Sequence, residues 1–395
     1  MIEDLTKTYE TPFYCYDQKI IQGKIDFLKS LNLNFNYSLY FSVKANPNLA
    51  IINFFKQNNI GATVVSSGEL FKAIRAGINP SNIVINGSSK NEFDLKYAIT
   101  QKINCINIEN IQEIDLIESY SKEKNLKTNF GVRINPGIDA QTIDKISTGK
   151  TGDKFGIEIE QIDFEKLAKL NYSNLKALSI HIGSQITNYN KLIESYIALI
   201  DLANNLKNKG FEIETLNFGG GFSIPEEGYK SLDFKMWAEE LNKIMKNNNY
   251  KIIFEPGRFL VAESGSLVTK VNYIKKSGSK NIALLDSSFS EYIRPAFYNI
   301  NPMVEVLKNN SQNKIKYDLA GGVCETSDFF LRDVELPILE VGEFLIFKNV
   351  GAYGSSMSST YNSRPRPLEI LFKNNDHRVI RSKDTLEDLC NNEIM

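Results

Sequence analysis

The sequence predicts an α/β chain built as a (β/α)8 TIM-like barrel with a separate β domain at its C-terminal end. Between about residues 20 and 264, short apolar, β-rich runs alternate with longer stretches of helical periodicity. After residue 265 the helical patterns give way to strands joined by turn residues. A third observation agrees: the chemically capable residues of the first region gather where its runs end, the functional face of such a barrel.

The runs are SLYFSV (38–43), ATVV (62–65), NIVIN (82–86), INCINI (103–108), NFGVRI (129–134), LKALSIHI (175–182), IETLNF (213–218) and YKIIF (250–254). Alternation alone also suits a doubly wound open sheet. Eight strands within roughly 230 residues match the barrel. SSGELFKAIRAG shows how the helices are punctuated. Ser66 and Glu69 form a capping box, Leu70 and Ile74 share a face, and Gly77 ends the helix. Beyond the barrel, SLVTKVNYI, NIALLDSS, IKYDLAGGV and EFLIFKNVGAYG read as strands. Residues 20–264 are thus assigned to the barrel, and 1–19 with 265–395 to the β domain and its tail. NNDHRVIRSKDTLEDLC, after residue 372, reads as a charged terminal helix with a solvated His377.

Composition narrows the function. Of 395 residues, 42% are hydrophobic and 24% charged, with a net charge of −1, so nothing general attracts nucleic acid or an anionic membrane. No apolar run approaches the roughly 20 residues of a membrane helix. MIEDLTKTYE lacks the basic and apolar regions of a secretory signal. Cys15, Cys105, Cys324 and Cys390 form no CxxC, and the histidines are His181 and His377. That disfavours a zinc site, so no metal is expected, and scattered cysteines suit a reducing cytoplasm.

Lys44 follows the first run, Arg133 ends the fifth and His181 the sixth. The seventh runs into Gly219-Gly220-Gly221 and the eighth into EPGR, residues 255–258. Phosphate sites in such barrels use the loops after strands seven and eight, where glycine lets backbone N–H groups approach an anion. Gly149-Lys150-Thr151 imitates a P-loop ending, but Asp144 occupies the position of the required glycine. A phosphate subsite, a buried lysine and a carboxylate suggest pyridoxal phosphate (PLP). Desolvation would expose the nucleophilic amine of Lys44. Glu255 would keep the pyridine nitrogen protonated and His181 would stack on the ring.

SVKANPN, SSGEL, HIGSQ, FGGGF, EPGR, CETSD and GAYGSSMSSTYNSRPRP together resemble the fold-type III PLP-dependent decarboxylases, among them the diaminopimelate decarboxylase family, over residues 11–371. The resemblance implies an alanine racemase-like fold, a PLP-binding barrel flanked by a β-sandwich or β-barrel domain, and a homodimer whose active sites form between subunits. It implies decarboxylation of meso-2,6-diaminopimelate to L-lysine and CO2.

By motif, Lys44 is implied as the Schiff-base lysine and His181 as the ring-stacking residue. Ser184 and Gly219–Gly221 would lie near the phosphate, and Glu255, Pro256, Gly257 and Arg258 would form the cofactor loop. Arg258 would serve the phosphate or the substrate, as would Tyr353 in GAYG. Cys324, the implied proton donor, and Glu325 would enter from the partner subunit. SEYIRPAFY supplies Arg294 and Tyr298 for the far carboxylate of the substrate, and Glu325 suits its far amine.

The chain departs from the family at Thr63, where an aspartate is usual, which would deprive Arg133 of a charged partner. DSSFSEYI also replaces a Gly- and Asn-containing segment before RPA. The alternatives are a decarboxylase of ornithine, lysine, a carboxylated polyamine or another modified amino acid, and a PLP-binding protein without turnover. Alanine racemase would present arginine to the pyridine nitrogen, against Glu255.

Overall fold

The computed structural model describes residues 1–140, 146, 148–226, 228–309 and 311–395; Asp144 lies outside them. The chain forms two compact units. One comprises Phe27–Pro225 and Tyr229–Phe259; the other comprises Met1–Asp26, Glu226–Gly228 and Leu260–Met395.

In the first unit eight parallel strands close a barrel: β2 (Tyr37–Ser42), β3 (Gly61–Val64), β4 (Ile83–Ile85), β5 (Cys105–Ile108), β6 (Thr128–Ile134), β7 (Ser173–Ile180), β8 (Thr215–Asn217) and β9 (Lys251–Phe254). Tyr37 pairs with Ile252 to close the ring. Parallel strands covered on both faces carry continuous apolar runs, which is why they stand out in the sequence. Tyr40, Val84, Cys105, Ala177 and Ile253 pack together in one buried cluster. In β6, a Cβ on Gly131 would lie 2.3 Å from Asn107 Oδ1, so glycine leaves room for that amide.

The helices bury one stripe each. In Tyr189–Asn208, capped by Asn188, the buried Leu192, Tyr196, Leu199, Ala203 and Leu206 recur at helical spacing. Tyr196 stacks on Phe218 with ring centroids 4.1 Å apart. Each of the leucines contributes about 1.5–3 kcal/mol by burial. The helix Ser67–Arg75 starts where expected, with Ser66 Oγ accepting from Glu69 N–H. The capping box is not reciprocal, however. Glu69 reaches one residue further back and accepts from Val65 N–H at 2.9 Å.

The second unit centres on a mixed sheet. β1 (Phe13–Asp17) runs between β10 (Gly265–Ser277), antiparallel, and β16 (Leu368–Lys373), parallel. β11 (Lys280–Leu285), β13 (Lys314–Ala320) and β14 (Phe329–Pro337) extend it beyond β10, while β15 (Phe344–Phe347) joins β10 to β12 (Val304–Val306). Leu5, Phe13, Cys15, Val268, Ile346 and Ile370 form its buried cluster.

The tail differs from expectation. β17 (Asp376–Arg381) pairs antiparallel with β16, and no helix runs through NNDHRVIR. Asn374 takes the left-handed conformation, φ +57°, at the turn between Lys373 and its partner Asp376. His377 is half-buried, with Nε2 3.2 Å from Tyr9 Oη, rather than fully solvated.

Among the described residues, no helix is long and apolar enough to cross a membrane. None of their His, Cys, Asp and Glu side chains cluster to hold a metal ion.

Candidate active site

The loops at the C-terminal ends of the barrel strands are drawn together by backbone bonds. Glu255 N–H donates to Gly219 O at 2.7 Å, and Ile186 N–H to Gly221 O at 2.9 Å. A Cβ on Gly220 would lie 2.4 Å from Glu255 O, and one on Gly221 2.4 Å from Gly183 O. Gly219 and Gly221 also hold φ of +62° and +98°, which favours glycine. The three loops can meet only where side chains are absent. Beside them, Arg258 Nε donates to Ser184 Oγ at 3.2 Å, adding a cation to the glycine cradle. Gly257 packs the EPGR loop against the turn carrying Lys44, since a Cβ there would stand 2.9 Å from Ser42 Cβ.

Lys44 lies just past β2 on a 3-10 turn, Val43–Ala45. It is exposed in this chain, against the burial expected of it, because it projects beyond the last ladder residue while Val43 and Ala45 remain buried. Its charge is felt nearby: it opposes the burial that raises the Glu69 carboxyl. Burial holds the His181 imidazole well below its ordinary value of 6.5, and the Lys44 and Arg133 charges lower it further. His181 Nδ1 accepts from Gly220 N–H at 3.3 Å. The ring is therefore neutral, one nitrogen tied to the glycine loop.

On acidification through 6.5 an unfolded chain protonates this imidazole and the folded chain does not, so the group costs stability as pH falls. NMR of the PLP-free protein should show one histidine, assigned by His181→Asn, that does not titrate from roughly pH 8 to 5.5. A midpoint near the ordinary value would contradict this electrostatic picture.

Glu255, 9% exposed, is held by three neutral side-chain donors. Its Oε1 accepts from Thr63 Oγ1 at 2.8 Å, Asn217 Nδ2 at 2.6 Å and Asn86 Nδ2 at 3.1 Å. Among the described residues, its Oε2 receives only the shared Asn86 donor, also at 3.1 Å. Asn86 is itself held by Asn107 Nδ2 at 2.8 Å. Burial pushes the Cys105 thiol up to about 12, so it stays protonated and meets Asn107 Oδ1 at 3.6 Å.

Arg133 does have a charged partner. Its Nη1 lies 3.0 Å from both oxygens of Glu109, which burial raises but the Arg133 charge and backbone donors hold below the ordinary carboxyl value. Sequence reasoning missed Glu109, Asn86, Asn107 and Asn217. The available signal was a polar residue at or just past the end of an apolar strand.

In the β unit, Arg294 opens the short helix Arg294–Tyr298 and is buried, 4% exposed. Its Nη2 pairs with Glu226 at 3.4 Å, so it is not a solvated surface group. Tyr298 is half-buried. The altered DSSFSEYI segment forms a buried knot before Arg294, in which Glu291 Oε2 accepts from Ser288 N–H and Oγ at 2.6 and 2.7 Å. Cys324 and Glu325 are both exposed, on a turn tied down by Asp328, which accepts from Val323 N–H at 2.9 Å. Glu325 also accepts from Tyr361 Oη. Tyr353 is half-buried with φ +59°.

These groups fit PLP. The glycine cradle with Ser184 and Arg258 suits a phosphate, Lys44 offers an accessible amine, neutral His181 a flat face, and Glu255 an oxygen with spare acceptor capacity. The pyridoxal binding domain of the pyridoxal-dependent decarboxylases matches residues 18–262. The diaminopimelate decarboxylase of Helicobacter pylori is 36% identical over 392 residues, covering 98% of this chain and 96% of that protein. That of Neisseria meningitidis is 33% identical over 396 residues, covering 99% and 94%. The crystal structure of the Helicobacter pylori enzyme complexed with L-lysine superposes with a TM-score of 0.95 at 35% identity, covering 99% of this chain and 98% of that one. The chain belongs to the diaminopimelate decarboxylase family of pyridoxal-dependent decarboxylases.

Proposed function

We propose that this chain decarboxylates meso-2,6-diaminopimelate to L-lysine and CO2 with PLP as cofactor, the last step of lysine biosynthesis. The observation carrying the reaction type is Glu255, a buried carboxylate with one oxygen fully engaged and the other facing fewer donors. When bound, PLP supplies an electron sink for the pair released as the carboxylate leaves.

Lys44 would hold the cofactor through its amine. Glu255 would keep the proton on the pyridine nitrogen, and His181, uncharged, would cover one ring face without repelling that proton. Gly219–Gly221, Ser184 and Arg258 would bind the phosphate, with Pro256 and Gly257 shaping the loop between Glu255 and Arg258. Tyr353 would serve the phosphate or the substrate. Arg294 and Tyr298 would read the far carboxylate and Glu325 the far amine, while Cys324 would deliver a proton to the α-carbon.

The assay is lysine formation by PLP-loaded protein from meso-diaminopimelate, with L,L-diaminopimelate and ornithine alongside. Lysine from the meso isomer is the expected product. A chain that binds PLP but makes none would belong with the decarboxylases of modified amino acids.

A homodimer in a reducing, cytoplasmic setting belongs to this reading, supported by four free cysteines and by the exposed, adjacent Cys324 and Glu325. Mixing and reassembling Lys44→Ala with Cys324→Ala protein should then restore activity. Half the dimers are mixed and each regains one intact site, so about a quarter of wild-type activity is the ceiling for a two-fold dimer. No recovery after verified subunit exchange would place Cys324 in the site of its own chain.

A further inference from the structure

We propose that Thr63 is a positioning residue for the cofactor: its hydroxyl, with the Asn217 and Asn86 amides, holds Glu255 by Oε1 and leaves Oε2 as the oxygen that meets the pyridine nitrogen. The proposal rests on the reading of Glu255 as that nitrogen's partner.

Three donors from three strands or strand ends converge on Oε1: Thr63 on β3 at 2.8 Å, Asn217 on β8 at 2.6 Å, and Asn86, just past β4, at 3.1 Å. Among the described residues, Oε2 has only the bifurcated Asn86 donor. Thr63 is 2% exposed, and a buried threonine hydroxyl with one good acceptor has little freedom to donate elsewhere. Each member of the clamp is itself fixed. Asn217 Oδ1 accepts from Gly219 N–H at 2.9 Å, which ties the clamp to the glycine cradle. Asn86 Oδ1 accepts from Asn107 Nδ2, whose space inside the barrel Gly131 provides. All three donors are neutral, so the clamp orients the carboxylate without adding a cation that would compete with a protonated ring nitrogen for it.

Chemistry explains why the hydroxyl matters. An aspartate at 63 would place a second acceptor-only group where Glu255 now receives a donor, and two adjacent carboxylates share a proton. That proton would sit on the pair that must hold the ring nitrogen. Neutral Thr63 removes this competition. The second carboxylate of the neighbourhood, Glu109, is paired with Arg133 at 3.0 Å.

The test reads the ring nitrogen directly. Wild type, Thr63→Ser, Thr63→Val and Glu255→Gln are reconstituted with 15N-labelled PLP and followed by 15N NMR across pH. Wild type and Thr63→Ser, which keeps the hydroxyl, should show the same protonated-nitrogen resonance. Thr63→Val should move it toward the unprotonated value and weaken PLP binding by about tenfold, the worth of one hydrogen bond to a charged group. Thr63→Cys, which lacks the γ-methyl and keeps a weaker donor, should show a smaller shift and serves if Thr63→Val does not accumulate folded. Movement in Glu255→Gln with none in Thr63→Val or Thr63→Cys overturns the proposal alone. No movement in Glu255→Gln overturns the reading beneath it, and the proposal with it.

Discussion

Lys44→Ala is expected to cut lysine formation from meso-diaminopimelate by at least about 10³-fold while leaving the protein folded. Lys44 is exposed and follows β2 on a 3-10 turn whose neighbours Val43 and Ala45 are buried, so truncation opens no cavity in the core. The thermal midpoint of the PLP-free protein should therefore stay close to wild type, separating loss of chemistry from loss of structure. Borohydride treatment of wild-type holoenzyme should attach the cofactor irreversibly to the peptide carrying Lys44, and no label should remain on the variant. Near-normal turnover without an added amine would sink the assignment of this lysine.

Glu255→Gln is the second large effect, with kcat expected to fall by about 10²–10³-fold. The substitution conserves shape but not hydrogen-bond polarity. Thr63 and Asn217 both donate to Oε1, so the new amide must turn its carbonyl oxygen toward them. Its NH2 group then occupies the Oε2 position, against the Asn86 amide donor and a protonated ring nitrogen. Two donors face a third, and the ring proton loses its acceptor. Because the amide can still satisfy Oε1's former donors, the fold should survive. The loss should appear in kcat more than in KM, as for an interaction that strengthens when electrons move into the ring. A fall in KM-determined affinity alone, with kcat intact, would assign Glu255 to ground-state binding.

The sequence by itself determined the barrel and which polar residues stand at its rim. Parallel strands buried on both faces must be apolar throughout, so each announces itself, and whatever polar residue follows them lands at one end of the barrel. Lys44, His181, the triple glycine and EPGR could be read in that way, and Ser66 as a cap was equally local. The tail was misread because its charge content resembles a helix, whereas the hairpin depends on one left-handed asparagine and a waiting partner strand, β16.

Which residues meet was decided only by tertiary structure. Thr63 and Glu255 are 192 positions apart, and Asn86 and Glu255 169, yet each pair is joined by a hydrogen bond because the barrel closes on itself. No local pattern encodes that meeting: an inward-facing asparagine at a strand end looks the same whether it holds a carboxylate or only fills a layer. The pairing of Arg133 with Glu109 was hidden for the same reason, the partners lying on or just past adjacent strands but 24 residues apart. Strand periodicity specifies which way a side chain points; closure and register specify what it finds there.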